Sequence, residues 1–155
     1  MGDRISSEFD LLLRERKLLR AHITRDVIAR EVKAAESDLQ DARDSLDQRK
    51  YKWATIQGYY SMFHSARALL YHRGFRERSH YAMLVALREL FGAELGKDAV
   101  SAFEEGMELR QEADYGLTFS KEGAFSTVMG AEAFLRKAKE ILRIKRTKFV
   151  RMRRT

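Results

Sequence analysis

Apolar residues recur at helical spacing along almost the whole chain. From residue 28 onward they follow one another in steps of three or four, with mostly charged residues between them: Ile28, Val32, Ala35, Leu39, Ala42 and Leu46. Such steps place the apolar side chains on one face, so the pattern predicts a helix of about 24 residues packed along one side. Residues 5–23 form another amphipathic stretch, with Ile5, Phe9, Leu12, Leu19 and Ile23 in step. The pattern leaves open whether that stretch is a separate helix.

The next segment, YKWATIQGYYSMFHSARALLYHRG, is apolar over much of its circumference. Two stripes run side by side in it: Trp53, Ile56, Tyr60, Phe63 and Leu70, and then Tyr59, Met62, Ala66 and Leu69. A helix of this kind lies in the middle of a bundle, so we expect its aromatic residues in the core and not as a stacking platform for bases. Small residues on the remaining face would let another helix approach closely, including one from a second copy of the chain: Gly58, Ser61, Ser65 and Ala68. Gly74 is suited to end the helix.

Three further helices follow from the pattern. Ser79 is placed to cap a short helix that ends at Gly92, a second helix covers residues 96–115, and Ser120 is placed to cap the last one. The inner stripe of the last helix is Ala124, Val128, Ala131, Leu135, Ala138 and Leu142. No segment has the alternating pattern of a strand. The sequence therefore predicts an all-α, up-and-down antiparallel bundle of four to five helices, at residues 26–142, with a helical N-terminal extension at 1–25.

Two charged residues lie where the pattern of the fourth bundle helix asks for apolar ones. Its inner stripe reads Val100, Phe103 and Met107 and then continues, at the same spacing, with Arg110 and Asp114. An Arg and an Asp four residues apart can form an ion pair along a helix, and partial burial would require that pairing. The pair either holds a neighbouring helix in place or borders a cleft, where Arg is suited to bind phosphate.

The composition agrees with a helical protein of the cytoplasm. The 155 residues include no Pro, no Cys and only nine Gly, which favours long helices and excludes disulfides and Cys-based zinc sites. The start MGDRISSEFD lacks the features of a signal peptide, and the apolar runs are too short to cross a membrane. We find no motif for a metal or a cofactor, so the sequence predicts neither.

Positive charge is concentrated at the C-terminus. The net charge is +7, and the tail at residues 143–155 holds seven basic residues and no acid, so residues 1–142 are formally neutral (7 − 7 = 0). These residues are Arg143, Lys145, Arg146, Lys148, Arg151, Arg153 and Arg154. Such a tail either keeps the protein soluble or contacts nucleic acid through the phosphate backbone, without choosing a sequence.

Four separated segments resemble one known family. The segments GYYSMFHSARALLYHRGF, SHYAMLVALRELF, ELRQEADYG and EGAFSTVMGAEAFLRKAKEIL are similar to the HEPN domain family, in the branch with an R-x-x-x-D-Y motif. The resemblance covers residues from about 26 to 145. It implies a helical bundle that dimerises, and many family members form toxin–antitoxin pairs with a minimal nucleotidyltransferase.

The resemblance also implies a mechanism for the catalytic members, from which this chain departs. Those members are metal-independent ribonucleases that use an Arg followed, after four to six residues, by a His. Arg110 matches the Arg of the motif, but Tyr115 stands where the His is expected, and no His occurs downstream of His80. Arg73 and His80 have the required spacing across a turn, and His64 could join Arg110 from another helix.

We therefore carry three hypotheses forward. The leading one is a partner of a nucleotidyltransferase that binds RNA or nucleotide in a homodimer cleft, through Arg110, Asp114, Tyr115 and His64. In this hypothesis Tyr115 is also a candidate acceptor for nucleotidyl transfer by the partner, as the resemblance suggests. The second is a ribonuclease with a rearranged site that uses Arg73 and His80, or Arg110 and His64. The third is a protein-interaction module in which Arg110 and Asp114 only hold helices together.

Overall fold

The fold is a bundle of helices with one very short pair of strands. The structure is a computed structural model that describes the backbone of residues 2–115 and 119–154, and the side chains of 8–113, 115 and 119–143. Its elements are α1 (Gly2–Arg14), β1 (Leu18–Arg20), α2 (Arg25–Asp47), α3 (Tyr51–His72), β2 (Phe75–Glu77), α4 (His80–Leu95), α5 (Lys97–Asp114) and α6 (Lys121–Arg154). The predicted all-α bundle is confirmed. Within the described ranges, no helix combines the length and the apolar character needed to cross a membrane.

Helix α3 is the centre of the bundle, as its two apolar stripes predict. It packs against α2, α5 and α6, and Tyr59, Met62 and Leu69 are fully buried. The expectation of a core position is wrong for Trp53, which is 52% exposed. Trp53 lies in the first turn of α3, in line with an apolar stripe of that helix, but no neighbouring helix covers this face completely.

The small residues of α3 serve contacts within the chain. A Cβ added to Gly58 would lie 3.0 Å from Thr127 Cγ2 of α6, so glycine lets these two helices approach closely. Ser61 Oγ donates a hydrogen bond of 2.8 Å to the carbonyl of Ala35 in α2. This face therefore packs against the protein's own helices.

The helix ends agree with the sequence at two serines and differ at one glycine. Ser79 accepts a hydrogen bond of 3.0 Å from the N–H of Ala82, and Ser120 accepts one of 2.9 Å from the N–H of Gly123. The prediction that α4 ends at Gly92 is wrong, because α4 continues to Leu95. The break comes at Gly96, which has a φ of +88°, a conformation that glycine adopts without strain.

The sequence pattern gave no indication of strands, yet two strands of three residues each pair in an antiparallel sheet. Leu18 of β1 lies opposite Glu77 of β2, and Arg20 lies opposite Phe75. The amphipathic stretch at residues 5–23 is therefore helical only as far as Arg14. Strands this short have too few residues to show an alternating pattern, so only the tertiary contact between the two segments defines them.

Candidate functional site

The charged residue in the seam of α5 lies against α3. Arg110 is half-buried, its Nη2 donates a hydrogen bond of 3.0 Å to Tyr60 Oη, and its guanidinium lies 5.5 Å from the centre of the Tyr60 ring. One turn earlier, Gly106 lies so close to α3 that an added Cβ would be 2.6 Å from Met62 Cε. The side chain of Asp114 is outside the described residues, so the ion pair between Arg110 and Asp114 stays a prediction.

A histidine from α4 joins the same part of α3. Because Ser79 caps α4, His80 occupies the first residue of that helix. Its Nδ1 shares a hydrogen bond of 2.5 Å with Tyr59 Oη, and its ring stacks on Phe63 with a centroid distance of 4.8 Å. The ring of Tyr59 lies 5.8 Å from His80 and 5.6 Å from Tyr60, so these aromatic rings connect His80 to the side chain that holds Arg110.

Charge and burial keep this histidine and its tyrosine partner neutral. Burial lowers the pKa of His80, the positive charges of Arg110 and Arg67 lower it further, and the carboxylate of Glu77 opposes them. Burial raises the pKa of Tyr59, which the charge of Arg110 only partly offsets. The charge of Arg110 affects the pKa of both groups, so a permanent cation and a neutral imidazole belong to one site.

Arg67 of α3 lies beside Phe63 and is held by the carboxylates of Glu77 and Glu31. Its Nε and Nη2 donate hydrogen bonds of 3.1 and 2.8 Å to the two carboxylate oxygens of Glu77, and its guanidinium lies 4.5 Å from the centre of the Phe63 ring. The Glu77 side chain is only 7% exposed. A paired bond of this geometry fixes both side chains, so β2 determines where the Arg67 guanidinium lies.

His64 faces α2. Its Nδ1 lies 2.6 Å from Glu31 Oε2, and its Nε2 lies 3.5 Å from Asp38 Oδ2. Burial acts to raise the pKa of Glu31, but the hydrogen bond with His64 and the charge of Arg67 outweigh it, so the pKa is lowered. Burial raises the pKa of Asp38. Both ring nitrogens of His64 are thus directed at carboxylates of α2.

Five side chains of α3 define one surface, which we call the front face of α3. They follow each other in steps of three and four along the helix and are half-buried or exposed: Trp53, Ile56, Tyr60, His64 and Arg67. The carboxylates of α2 border one side of this face, and Arg110 borders the other side through Tyr60. Polar and aromatic groups from three helices therefore meet on one partly exposed surface.

The structure separates the first of the two rearranged pairs proposed from the sequence. The Arg73 guanidinium lies 5.5 Å from the ring centre of Phe91 and donates a hydrogen bond of 3.4 Å to the carbonyl of Leu90. His80 is ten residues before Leu90 in the same helix, a rise of about 15 Å. Arg73 and His80 therefore lie toward opposite ends of α4.

The second rearranged pair joins Arg110 and His64. Both lie at the front face of α3, but His64 is directed at α2 while Arg110 contacts Tyr60. The histidine whose pKa responds to Arg110 is His80, a combination that spacing along the chain does not indicate.

The other predicted site residues are exposed or outside the description. Tyr115 is 78% exposed at the C-terminal end of α5. In the tail, Arg143 is exposed, and the side chains of Lys145, Arg146, Lys148, Arg151, Arg153 and Arg154 are outside the described residues. Among the described side chains, no group of three or more acidic residues and histidines is arranged to hold a metal ion.

Sequence reasoning missed four residues of the site. Tyr59 and Tyr60 were assigned to the core without their hydroxyl partners, and Arg67 and Glu77 were not singled out. A run of two tyrosines in an otherwise apolar helix is a usable indication, because a buried tyrosine hydroxyl needs a hydrogen-bond partner. Nothing in the sequence pairs Arg67 with Glu77, ten residues away and in another element.

Comparisons with known proteins agree with the fold. The profile of the HEPN domain matches residues 29–148. The chain is also 32% identical, over 119 residues, to a protein of Archaeoglobus fulgidus named UPF0332 protein, and the match covers 74% of this chain and 94% of that protein. Matches of this extent, on a bundle whose helices follow the predicted order, show that the chain belongs to the HEPN domain family.

Proposed function

We propose that this HEPN domain protein binds RNA or a nucleotide at the front face of α3, beside Arg110. The observation that carries the proposal is the position of Arg110 in a seam of apolar residues, where Tyr60 orients its guanidinium by a hydrogen bond and by its ring. An oriented guanidinium suits a phosphate group, because it offers several N–H donors in a fixed plane. The ring of neutral His80 offers a nitrogen for a hydrogen bond. The ring of Tyr60 offers a stacking surface beside Arg110, and Trp53 offers another about two turns earlier on the same face of α3.

The test is a binding titration with a short single-stranded RNA and, separately, with ATP, followed by fluorescence anisotropy. In Arg110→Ala the affinity should fall by about 10- to 100-fold, the range for losing a hydrogen bond from a charged group. Arg88→Ala is the matched control, because Arg88 is an exposed arginine that pairs with Glu104 across α4 and α5. Circular dichroism should show both variants folded. Unchanged affinity together with lower stability in Arg110→Ala would leave Arg110 as a residue that only holds helices together.

The homodimer belongs to the same proposal. Trp53 is 52% exposed and Ile56 is half-buried on the front face of α3, so apolar surface is left there for a second copy to cover. In a dimer formed on this face, the ligand site would lie in the cleft between two copies. Light scattering should give the mass of a dimer, and Trp53→Arg should reduce it to that of a monomer. A parent protein that is monomeric at all concentrations would contradict this part.

The partner in this proposal is a minimal nucleotidyltransferase, in a toxin–antitoxin type of module. Support for a modification site comes from Tyr115, whose side chain is 78% exposed after the end of α5 and is accessible to an enzyme. In this step the Tyr115 hydroxyl would attack the α-phosphate of a nucleoside triphosphate, with release of pyrophosphate. Mass spectrometry after co-expression should then find a nucleotidyl group on the peptide with Tyr115, and Tyr115→Phe should remove it. An unmodified Tyr115 peptide in the co-expressed protein would contradict this step.

The basic tail adds affinity for phosphate without selectivity. Its seven Lys and Arg, from Arg143 to Arg154, make it the most basic part of the chain. Replacing all seven with Gln should make RNA binding less dependent on salt, since each neutralised phosphate adds about 0.7 to the slope for single strands. The affinity lost in Arg110→Ala should be the same with and without the tail charges.

A second candidate function is metal-independent cleavage of RNA. The observation that favours it is that Tyr60 accepts a hydrogen bond from Arg110 while the adjacent Tyr59 is hydrogen-bonded to His80, so that an Arg and a His share one site although they are far apart in the sequence. Cleavage should then continue in EDTA and be lost in both Arg110→Ala and His80→Ala, while Arg73→Ala keeps it. No cleavage by the folded parent protein would leave binding as the function.

A further inference from the structure

The N-terminal segment folds back onto the connection between α3 and α4. Besides the pairing of β1 with β2, two backbone hydrogen bonds of 2.9 Å extend the contact at its ends. The N–H of Ala21 donates to the carbonyl of Gly74, and the N–H of Arg78 donates to the carbonyl of Lys17. The connection is therefore fixed along its whole length by a segment that comes from before the bundle.

Side chains of α1 add an apolar contact to this pairing. The ring of Phe9 meets the ring of Phe75 edge-on at 5.3 Å, and Leu12 is 5% exposed. Leu18 of β1 is fully buried beside them. The hydroxyl of Tyr81 in α4 donates a hydrogen bond to Glu8 Oε1. We call residues 8–21 the strap.

The connection under the strap carries Glu77 and leads directly into His80, the first residue of α4. Glu77 of β2 holds Arg67 through two hydrogen bonds, and His80 follows three residues later. Strands of three residues are too short to be stable alone, so β2 depends on β1 for its backbone hydrogen bonds and on α1 to cover Phe75. The bundle helix α3 holds Glu77 through the side chain of Arg67, whereas the strap holds β2 through backbone hydrogen bonds.

We propose that the strap positions Glu77 and His80, so that the N-terminal segment controls the geometry of the site at the front face of α3. The strap precedes residue 29, where the match to the HEPN domain begins, and so it is an addition to the matched domain. Opening of the strap would release Glu77 from Arg67 and His80 from Tyr59 while the helices α2, α3, α5 and α6 stay packed. Only the last step, from the position of His80 to ligand affinity, rests on the proposed function.

Two neighbouring leucines of α1 provide a matched pair of variants in the full chain. Leu12 is 5% exposed, whereas Leu11 is 47% exposed, so Leu12→Ala weakens the strap and Leu11→Ala makes the same chemical change without loss of packing. The measurement is amide hydrogen exchange, residue by residue. In Leu12→Ala, exchange at residues 75–82 should accelerate about 30-fold, the factor that corresponds to the low end of losses for Leu→Ala in a core. Exchange in the centre of α3 and α6 should keep its parent rate, and Leu11→Ala should match the parent everywhere.

Two results would overturn the proposal. Acceleration confined to α1 and β1 would mean that the connection keeps its shape without the strap, and equal acceleration in all helices would make the strap an ordinary part of the global fold. If Leu12→Ala does not fold, Phe9→Leu, a milder change in the same contact, is measured against the same two results. The RNA titration of Leu12→Ala then tests the last step separately. Unchanged affinity beside accelerated exchange at residues 75–82 would place the failure in the proposed function.

Discussion

The two faces of α3 show how one helix can serve a core and a site. On the back, toward α6, Gly58 and Leu69 are buried, and the close approach to Thr127 leaves no room even for a methyl group without adjustment. On the front, His64 and Arg67 are held by carboxylates, and Tyr60 by Arg110. The back is specified by shape and apolar area, the front by hydrogen bonds and charge. Substitutions on the two faces should therefore have different consequences.

The largest effect on stability is expected on the back. Leu69 is fully buried in the core, and Leu69→Ala should lower the free energy of unfolding by about 2–5 kcal/mol, because it removes apolar contacts and leaves a cavity. Denaturant unfolding measures the loss. Loss of less than about 1 kcal/mol would mean that the back of α3 is not tightly packed.

The next effect concerns the buried carboxylate of the front. Glu77→Gln should cost about 2 kcal/mol, since the Arg67 guanidinium would lose the nearer of its two carboxylate partners, Glu77 and Glu31, while both members of the pair stay largely buried. The control is Glu104→Gln, in the ion pair with Arg88 whose side chains are 39% and 47% exposed, and it should cost less than about 1 kcal/mol. Equal losses in the two variants would show that burial does not strengthen the pair on the front.

The dependence of stability on pH should report on His80. Its pKa is lowered in the folded protein, so between that value and about 6.5 the unfolded chain binds a proton that the folded protein does not. The contribution is complete above this window and is lost as the pH falls through it. Stability should therefore decrease as the pH is lowered below about 6.5, and His80→Gln should make the profile flatter. A steeper profile in His80→Gln would contradict the assignment.

The smallest effect on stability is expected at the exposed end of the front. Trp53→Ala should change the free energy of unfolding by about 0.5 kcal/mol or less, as is usual for exposed residues, and should instead weaken dimer formation or RNA binding. Denaturant unfolding and the anisotropy titration of the same variant separate the two effects. A large loss of stability with unchanged association would place Trp53 in the core after all.

The back of α3 could be read from the sequence, and much of the front could not. Apolar periods gave the order of the helices, the inner stripe of α6 and the caps at Ser79 and Ser120, because these depend on residues a few positions apart. The strands depend on pairing between residues as distant as Leu18 and Glu77, which no local pattern encodes. Trp53 followed the period of the core, but period alone does not say whether a neighbouring helix covers a face.

The same limit applied to the site. Arg110 was found because a charge interrupts an apolar stripe, which is a local feature. Its partner Tyr60 is 50 residues away, and the histidine on which its charge acts, His80, lies in another helix, where spacing along the chain matches it with Arg73 instead. Such contacts follow from the packing of the bundle. The sequence therefore predicts Arg110 as a site residue, but it does not predict that Tyr60 and His80 surround it.

The most direct test of the central claim is an NMR titration of the labelled protein with a short single-stranded RNA that has 2′-O-methyl groups and resists cleavage. We predict changes in the ring signals of Tyr60, Trp53 and His80 and in the side-chain signal of Arg110, with little change at Leu69 on the back of α3. Saturation of these shifts at a common RNA concentration would place the ligand on the front face. Shifts confined to the basic tail, or an absence of shifts at RNA concentrations that saturate binding, would contradict the account.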